Sequence, residues 1–339
     1  MNRESRRIGV VGGGSWGTAL ARLLAQRGHE VALWVREPEV VADIRNHKEN
    51  RTFLPGVELP EGLFATDDLG EAVKGQGMVL SVVPSQFVSR VFAEAAPLLH
   101  PDTQVISASK GIEVSTGRRM DEVFTGLLTA DQAHRLTFLS GPSFAAEVVL
   151  DAPTAVVVAS RSAEAAQKAQ EAFQTESFRV YTNSDVLGVE LGGALKNVIA
   201  LAAGAVAGLG FGHNTLAALI TRGLAEITRL GVAMGADPAT FSGLAGMGDL
   251  VLTCTGELSR NRTVGFRLGK GETLEKVLND LQGVAEGVQT VQAVRELAQG
   301  FGVEMPISQQ VHALLWEGRA PSDAVRNLML REPKPEVWS

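Results

Sequence analysis

A doubly wound parallel α/β sheet domain followed by an all-α domain is the fold class this sequence predicts. Three observations carry that expectation. Short β-rich runs alternate with amphipathic helical stretches through the first half, and a glycine-rich turn follows the first of those runs. Strand signals then stop at about Asn183, beyond which only long helical segments follow. With 339 residues the chain exceeds what one ordinary core organises. Two domains are therefore expected, a dinucleotide-binding one over 1–185 and a helical substrate or catalytic one over 186–339.

The expected strands are Ile8–Val11, Val31–Val35, Met78–Val82, Val105–Ser107, Thr137–Leu139, Ala155–Val158 and Phe178–Tyr181. Amphipathic helices such as Thr18–Gln26 and Glu164–Phe173 fall between them, the order that builds a parallel sheet covered on both faces. The second domain reads as helices over Val189–Leu209, Thr215–Met234, Leu274–Leu281, Thr290–Gln299 and Ser308–Trp316.

Composition narrows the function classes. Apolar content of 45% with 20% charged residues describes a globular protein. A formal charge of −7 without a basic stripe argues against a general nucleic-acid binder. A single cysteine, Cys254, rules out an intramolecular disulfide framework and suits a reducing cytoplasm. The basic start MNRESRR runs into glycines rather than a continuous apolar core, so it reads as the approach to a strand and not as a signal peptide. No metal-ligating cluster is expected.

Gly12-Gly13-Gly14-Ser15-Trp16-Gly17 supplies G-x-G-x-x-G between an apolar strand and a helix. Gly12 permits the tight turn, Gly14 lets a pyrophosphate approach the backbone, and Gly17 allows close helix–strand packing. The helix N-terminus then offers unpaired amides to the anion. The first domain is thus an α/β Rossmann-type doubly wound sheet domain, with the all-α C-terminal domain after it. At the end of the second strand stands Arg36, which can pair with a 2′-phosphate, followed by Glu37, which leaves NAD open. NADP or NAD is therefore the expected cofactor, with NADPH slightly favoured. The plain alternative for Arg36 is a solvated surface side chain.

Lys196 is the only ionisable residue in the run LGGALKNVIALAAGAVAGLGFG, Leu191–Gly212. A helix built from it would be buried on nearly every face. The lysine either snorkels to water or sits desolvated with a lowered pKa, fit for general acid–base work. A close Asp249 would raise that pKa and a close Lys110 would lower it again. The run is long enough to tempt a membrane-span assignment. Its lysine, its glycines and the small residues Ala200, Gly204 and Gly208, spaced four apart, argue instead for a core helix that another helix approaches closely.

Four further segments concentrate polar residues. Ser109-Lys110-Gly111 follows an expected strand and so stands where doubly wound sheets bind ligands. Gly141-Pro142-Ser143-Phe144-Ala145 follows another, the plain alternative being a turn with Ser143 as helix N-cap. Gly246-Met247-Gly248-Asp249 holds an aspartate that could equally be a turn or helix-start residue. Leu258-Ser259-Arg260-Asn261-Arg262 precedes a short helix and reads either as a phosphate cradle or as simple capping.

Taken together, GGGSWGTA, KGIE, SGPSFAAE, ELGGALKN, GMGDL, LSRNR and GVAEG cover nearly the whole chain. In this order they resemble the bacterial-type NAD(P)-dependent sn-glycerol-3-phosphate dehydrogenases. The resemblance implies dinucleotide contacts from Ser15, Trp16, Arg36, Lys110, Ala145, Arg260, Val284 and Glu286. It implies a glycerol-phosphate site of Lys110, Gly141, Ser143, Lys196, Asp249, Ser259, Arg260 and Asn261, with Lys196 as proton acceptor. It further implies hydride transfer at C2 between sn-glycerol 3-phosphate and dihydroxyacetone phosphate, in a cytoplasmic enzyme supplying phospholipid synthesis, and a homodimer. Two other readings stay open. One is a Rossmann-plus-helical dehydrogenase of a 3-hydroxy acid, which also uses a lysine on the interdomain helix. The other is a non-catalytic NADPH-binding sensor or scaffold.

Overall fold

The computed structural model describes residues 6–281, 283–333 and 335–336, and these divide into two compact units. One comprises 1–193 and 236–249, the other 194–235 and 250–339, so the division falls inside a single long helix. The first five residues of the N-terminal stretch read above lie outside the described residues.

The first unit is built on an eight-stranded sheet. Its strands in chain order are β1 (Arg7–Val11), β2 (Glu30–Trp34), β3 (Leu63–Thr66), β4 (Met78–Ser81), β5 (Gln104–Ser107), β6 (Thr137–Ser140), β7 (Thr154–Ser160) and β8 (Phe178–Asn183). The spatial order is β8-β7-β6-β5-β4-β1-β2-β3. The order reverses beside β1, the position at which open α/β sheets form a ligand crevice. All seven expected strands are present, and β3 is added at the edge beside β2.

The parallel expectation needs one correction. β6 and β7 pair antiparallel, with Thr137 opposite Ser160, while β7 and β8 are parallel to each other. A parallel return requires a crossover that traverses a sheet face. The connection from β6 to β7 contains only the four-residue helix Ala145–Val148, so the chain comes back in the opposite sense.

Alternating strand residues feed two cores, as the two-residue period of a strand demands. Val10, Leu80 and Ile106 join one cluster with Leu20, Leu24 and Phe173. Val11, Val79 and Val105 join the other with Phe92 and Phe124, whose rings meet edge-to-face at 4.8 Å. The sheet is therefore covered on both sides, and its loop ends are left to carry ligand groups.

Among the described residues no strand follows Asn183. The second unit is helical: the later part of Val186–Gly208, then His213–Ala233, Arg260–Gly269, Leu274–Asp280, Glu286–Gly300, Pro306–Trp316 and Pro321–Met329. The small-residue spacing does what the sequence suggested. A Cβ on Gly204 would stand 2.0 Å from the Arg262 carbonyl oxygen, and one on Gly265 would stand 1.9 Å from that of Leu201. Those two helices pack backbone to backbone, which only glycine permits. Val186–Gly208 is also the one described helix long and apolar enough to span a bilayer, yet 83% of its most apolar window is buried inside the protein. It is placed as a core helix.

Candidate active site

In the first unit, the glycine loop is shaped by close contacts. Gly12 has φ +122°, and its missing side chain would meet the Val82 carbonyl oxygen at 2.7 Å. A Cβ on Gly17 would lie 1.8 Å from the Gly12 oxygen, so the helix is drawn tightly onto the turn. Gly14 differs, since a Cβ there would meet nothing within 4 Å. It is the N-cap of Ser15–Gln26 and supplies no side-chain cap, leaving the first-turn amides without a capping side chain. This donor set fits a dinucleotide pyrophosphate. Behind it, buried Asn50 donates to Gly13 O (2.9 Å) and to Thr18 Oγ1 (2.8 Å), and Ser15 Oγ donates to Phe53 O (2.6 Å). Trp16 packs half-buried against the core of this unit.

Arg36 and Glu37 follow β2, and the guanidinium bonds the carboxylate through Nε (2.9 Å) and Nη2 (2.5 Å). Lys110 leaves the end of β5 and donates to Asp249 Oδ2 at 2.7 Å and to Gly141 O at 3.3 Å. Asp249 is buried at 1% exposure, so its charge needs this partner. A π-helical turn, Leu244–Gly248, delivers Asp249 to the start of the helix Asp249–Thr255. Gly246 makes that turn possible, because a Cβ there would meet Phe241 O at 2.1 Å.

Ser143 does not cap the next helix, whose N-cap is Phe144; its hydroxyl donates to Gly141 O at 3.0 Å. The Gly141 carbonyl thus gathers both Lys110 and Ser143. Ala145 opens the short helix that follows.

The second unit holds the other group of candidate residues. Lys196 is 7% exposed, and its Nζ donates to the Thr253 hydroxyl at 2.9 Å. Burial, not snorkelling, describes its environment. Ser259 is the N-cap of Arg260–Gly269, its Oγ accepting the Arg262 N–H at 3.2 Å. Asn261 is buried, donating to Asn197 Oδ1 (3.0 Å) and accepting the Gly287 N–H (2.9 Å). Arg260 is exposed, with Nη1 lying against the α-carbon of Gly283, where a Cβ would come within 2.2 Å. Val284 stands exposed beside it, and Glu286 opens the helix Glu286–Gly300.

Several supporting residues escaped the sequence reading. Thr253 and Asn197 hold Lys196 and Asn261. Gln86 bonds Ile112 O and the Val114 N–H, and Ser89 and Thr116 both donate to buried Glu113, which together pin the loop after Lys110. Glu190 accepts the Asp121 N–H at 2.9 Å. Burial, and then the neighbouring Asp121 carboxylate, push Glu190 well above the usual carboxylate range. Except for the local Thr116–Glu113 bond, each of these is a long-range partnership, which only the fold reveals.

Comparison with known proteins identifies the family. The family model described as the NAD-dependent glycerol-3-phosphate dehydrogenase N-terminus matches residues 7–166, and the model of the C-terminus matches residues 185–326. A glycerol-3-phosphate dehydrogenase of the NAD(P)+ type from Citrifermentans bemidjiense is 57% identical over 332 residues, covering 98% of this chain and 99% of its own. That of Geobacter sulfurreducens is 55% identical, covering 98% and 100%. The crystal structure of glycerol-3-phosphate dehydrogenase from Coxiella burnetii superposes with TM-score 0.92 at 39% identity, covering 96% of this chain and 99% of that one. A ketopantoate reductase from Ralstonia eutropha shares only the fold, with TM-score 0.58 and 16% identity over 94% of this chain and 99% of that one. The reading as a 3-hydroxy-acid dehydrogenase is therefore not favoured. With both family models matched in order and relatives above half identity along nearly the whole length, the chain belongs to the NAD-dependent glycerol-3-phosphate dehydrogenase family.

Proposed function

We propose that this protein interconverts sn-glycerol 3-phosphate and dihydroxyacetone phosphate, with Lys196 as general acid–base. The observation that carries the reading is an ammonium at 7% exposure donating to a neutral hydroxyl, Thr253, on the helix whose first residue is Asp249. Burial disfavours the charged form of a lysine, and that is the property proton exchange near neutral pH requires.

The loop Gly12–Gly17 and the first-turn amides after Gly14 would hold the pyrophosphate. Arg36 would face the adenosine ribose, and Lys110, Ala145, Arg260, Val284 and Glu286 would complete the cofactor contacts. When bound, the dinucleotide supplies a nicotinamide that takes or returns two electrons at substrate C2. Neutral Lys196 takes the C2 hydroxyl proton in oxidation, and its ammonium protonates the developing alkoxide in reduction. Lys110 and Asp249 orient the C2 oxygen, with Gly141 and Ser143 shaping the wall. The Ser259 hydroxyl, the Arg260 guanidinium, Asn261 and the helix end behind them receive the phosphate dianion.

The same reading assigns 1–185 to cofactor binding and 186–339 to the substrate and catalysis. It makes the enzyme cytoplasmic, metal-independent, homodimeric and slightly favouring NADPH, and it places the product at the start of glycerophospholipid synthesis. The test is nucleotide oxidation followed at 340 nm with dihydroxyacetone phosphate, running NADH and NADPH in parallel. Saturable turnover is expected with at least one of them. Protein that binds NADPH yet turns over neither would overturn the reading.

A further inference from the structure

The position after β2 is where a dinucleotide-binding fold decides between a ribose hydroxyl and a 2′-phosphate, roughly 20 residues beyond the glycine loop. Val35 ties that position to the loop. Its N–H bonds Thr66 O at 2.9 Å, and its side chain fills the space a Cβ on Gly13 would need, at 2.4 Å. The next two residues, Arg36 and Glu37, therefore stand at the adenosine side of the phosphate loop.

Both classical determinants are present here, and they are bonded to each other. Arg36 Nε and Nη2 both end on Glu37 Oε1, at 2.9 and 2.5 Å. Glu37 is the N-cap of the helix Pro38–His47, with Pro38 at its first turn fixing the approach, yet its carboxylate makes no capping bond. The carboxylate is spent on Arg36 through one oxygen, Oε1, and Oε2 lies outside that pair. The guanidinium side chain remains 70% exposed and that of Glu37 26%. A ribose 2′-hydroxyl can donate to Oε2 without disturbing the pair. A 2′-phosphate must share or draw away the guanidinium, and it must sit beside a like charge.

We propose that Glu37 is the specificity-determining residue that keeps this site open to both cofactors, by holding Arg36 back from the 2′-phosphate. The inference rests on the cofactor assignment above but concerns only the adenosine end, so it can be tested without turnover.

Dissociation constants for NADP+ and NAD+ are measured by titration calorimetry on the wild-type protein, Glu37→Gln and Glu37→Asp. Glu37→Gln removes the charge and frees Arg36. It is expected to shift the preference toward NADP+ on the order of ten-fold, the scale of one close charge interaction near a surface. Glu37→Asp keeps the charge and is expected to stay within about two-fold of wild type. A Glu37→Gln preference that is unchanged, or that moves toward NAD+, overturns the proposal. Failure of the wild type to reduce dihydroxyacetone phosphate would count against the enzymatic reading alone, because the binding ratio decides the role of Glu37 independently.

Discussion

Two helix N-termini, one in each unit, are built differently for the anions proposed to meet them. Ser15–Gln26 begins on a bare glycine, with no capping side chain and no acidic residue in its first turn. Arg260–Gly269 also has no acid in its first turn, but it begins on a serine whose hydroxyl takes the Arg262 N–H, and it carries a guanidinium as its first residue. The first end offers backbone amides and room for close approach, which suits the internal pyrophosphate of a dinucleotide. The second offers fewer amides and an exposed side-chain positive charge, which would suit a terminal phosphate dianion. A third end shows what an occupied one looks like. The N-terminus of Pro306–Trp316 is sealed by buried Glu226, which accepts the N–H groups of Ile307 (2.6 Å) and Ser308 (3.3 Å).

Among the three helix ends, the largest effect is expected where the glycine end is blocked. In Gly17→Ala the new methyl would have to displace the Gly12 carbonyl, only 1.8 Å away. Overpacking of this kind costs at least about 1–3 kcal/mol, and here it also deforms the anion loop. Dinucleotide affinity should fall by roughly 10²-fold or more, with a lowered Tm in thermal unfolding. Unchanged binding would show that the loop does not hold the pyrophosphate.

The sealed end makes a pH prediction. Burial raises Glu226 from 4.5 to about 7, against the opposing pull of the Ile307 and Ser308 bonds. The folded state therefore holds a proton that the unfolded chain has lost between those values. Stability is fully present below about pH 4.5 and is lost as pH rises through about 7, by up to about 3 kcal/mol. Comparing urea unfolding of the wild type and Glu226→Gln from pH 5 to 8 isolates this slope, which the variant should lack. Parallel slopes would mean that Glu226 is ionised throughout.

A smaller change tests the serine end. Arg260→Leu removes one charge-assisted interaction, worth about 1.5–3 kcal/mol, and leaves the Ser259 cap in place. The KM for dihydroxyacetone phosphate should rise roughly ten- to hundred-fold with a lesser change in kcat. An unaltered KM would move the phosphate elsewhere.

The contrast between the ends also explains what could be read in advance. The glycine end was legible because a tight turn and a close helix–strand approach can be made only by particular residues at fixed spacing. Lys196 was legible because a charge inside an apolar run is conspicuous, and the Gly204 and Gly208 spacing announced a neighbouring helix. The edge strand Leu63–Thr66 was not legible, since four residues carry little periodicity, and the antiparallel turn at β6 and β7 depends on how the intervening chain packs. Asn50, Thr253, Asn197 and Glu113 stayed hidden for one shared reason. Each acts through a partner far away in sequence, and a lone polar residue gives no sign of which partner it will meet. The plain alternative for Ser143, a helix N-cap, is not realised, because its hydroxyl turns back to Gly141 rather than forward to a helix.

The proton-transfer role of Lys196 is tested most directly by the kcat of Lys196→Ala for reduction of dihydroxyacetone phosphate, taken on protein whose unfolding curve and NADPH affinity match the wild type. Loss of a general acid–base should lower kcat by roughly 10²- to 10⁴-fold, leaving cofactor affinity nearly unchanged. A correctly folded Lys196→Ala enzyme with near-wild-type turnover would contradict the account and reduce the buried lysine to a structural partner of Thr253.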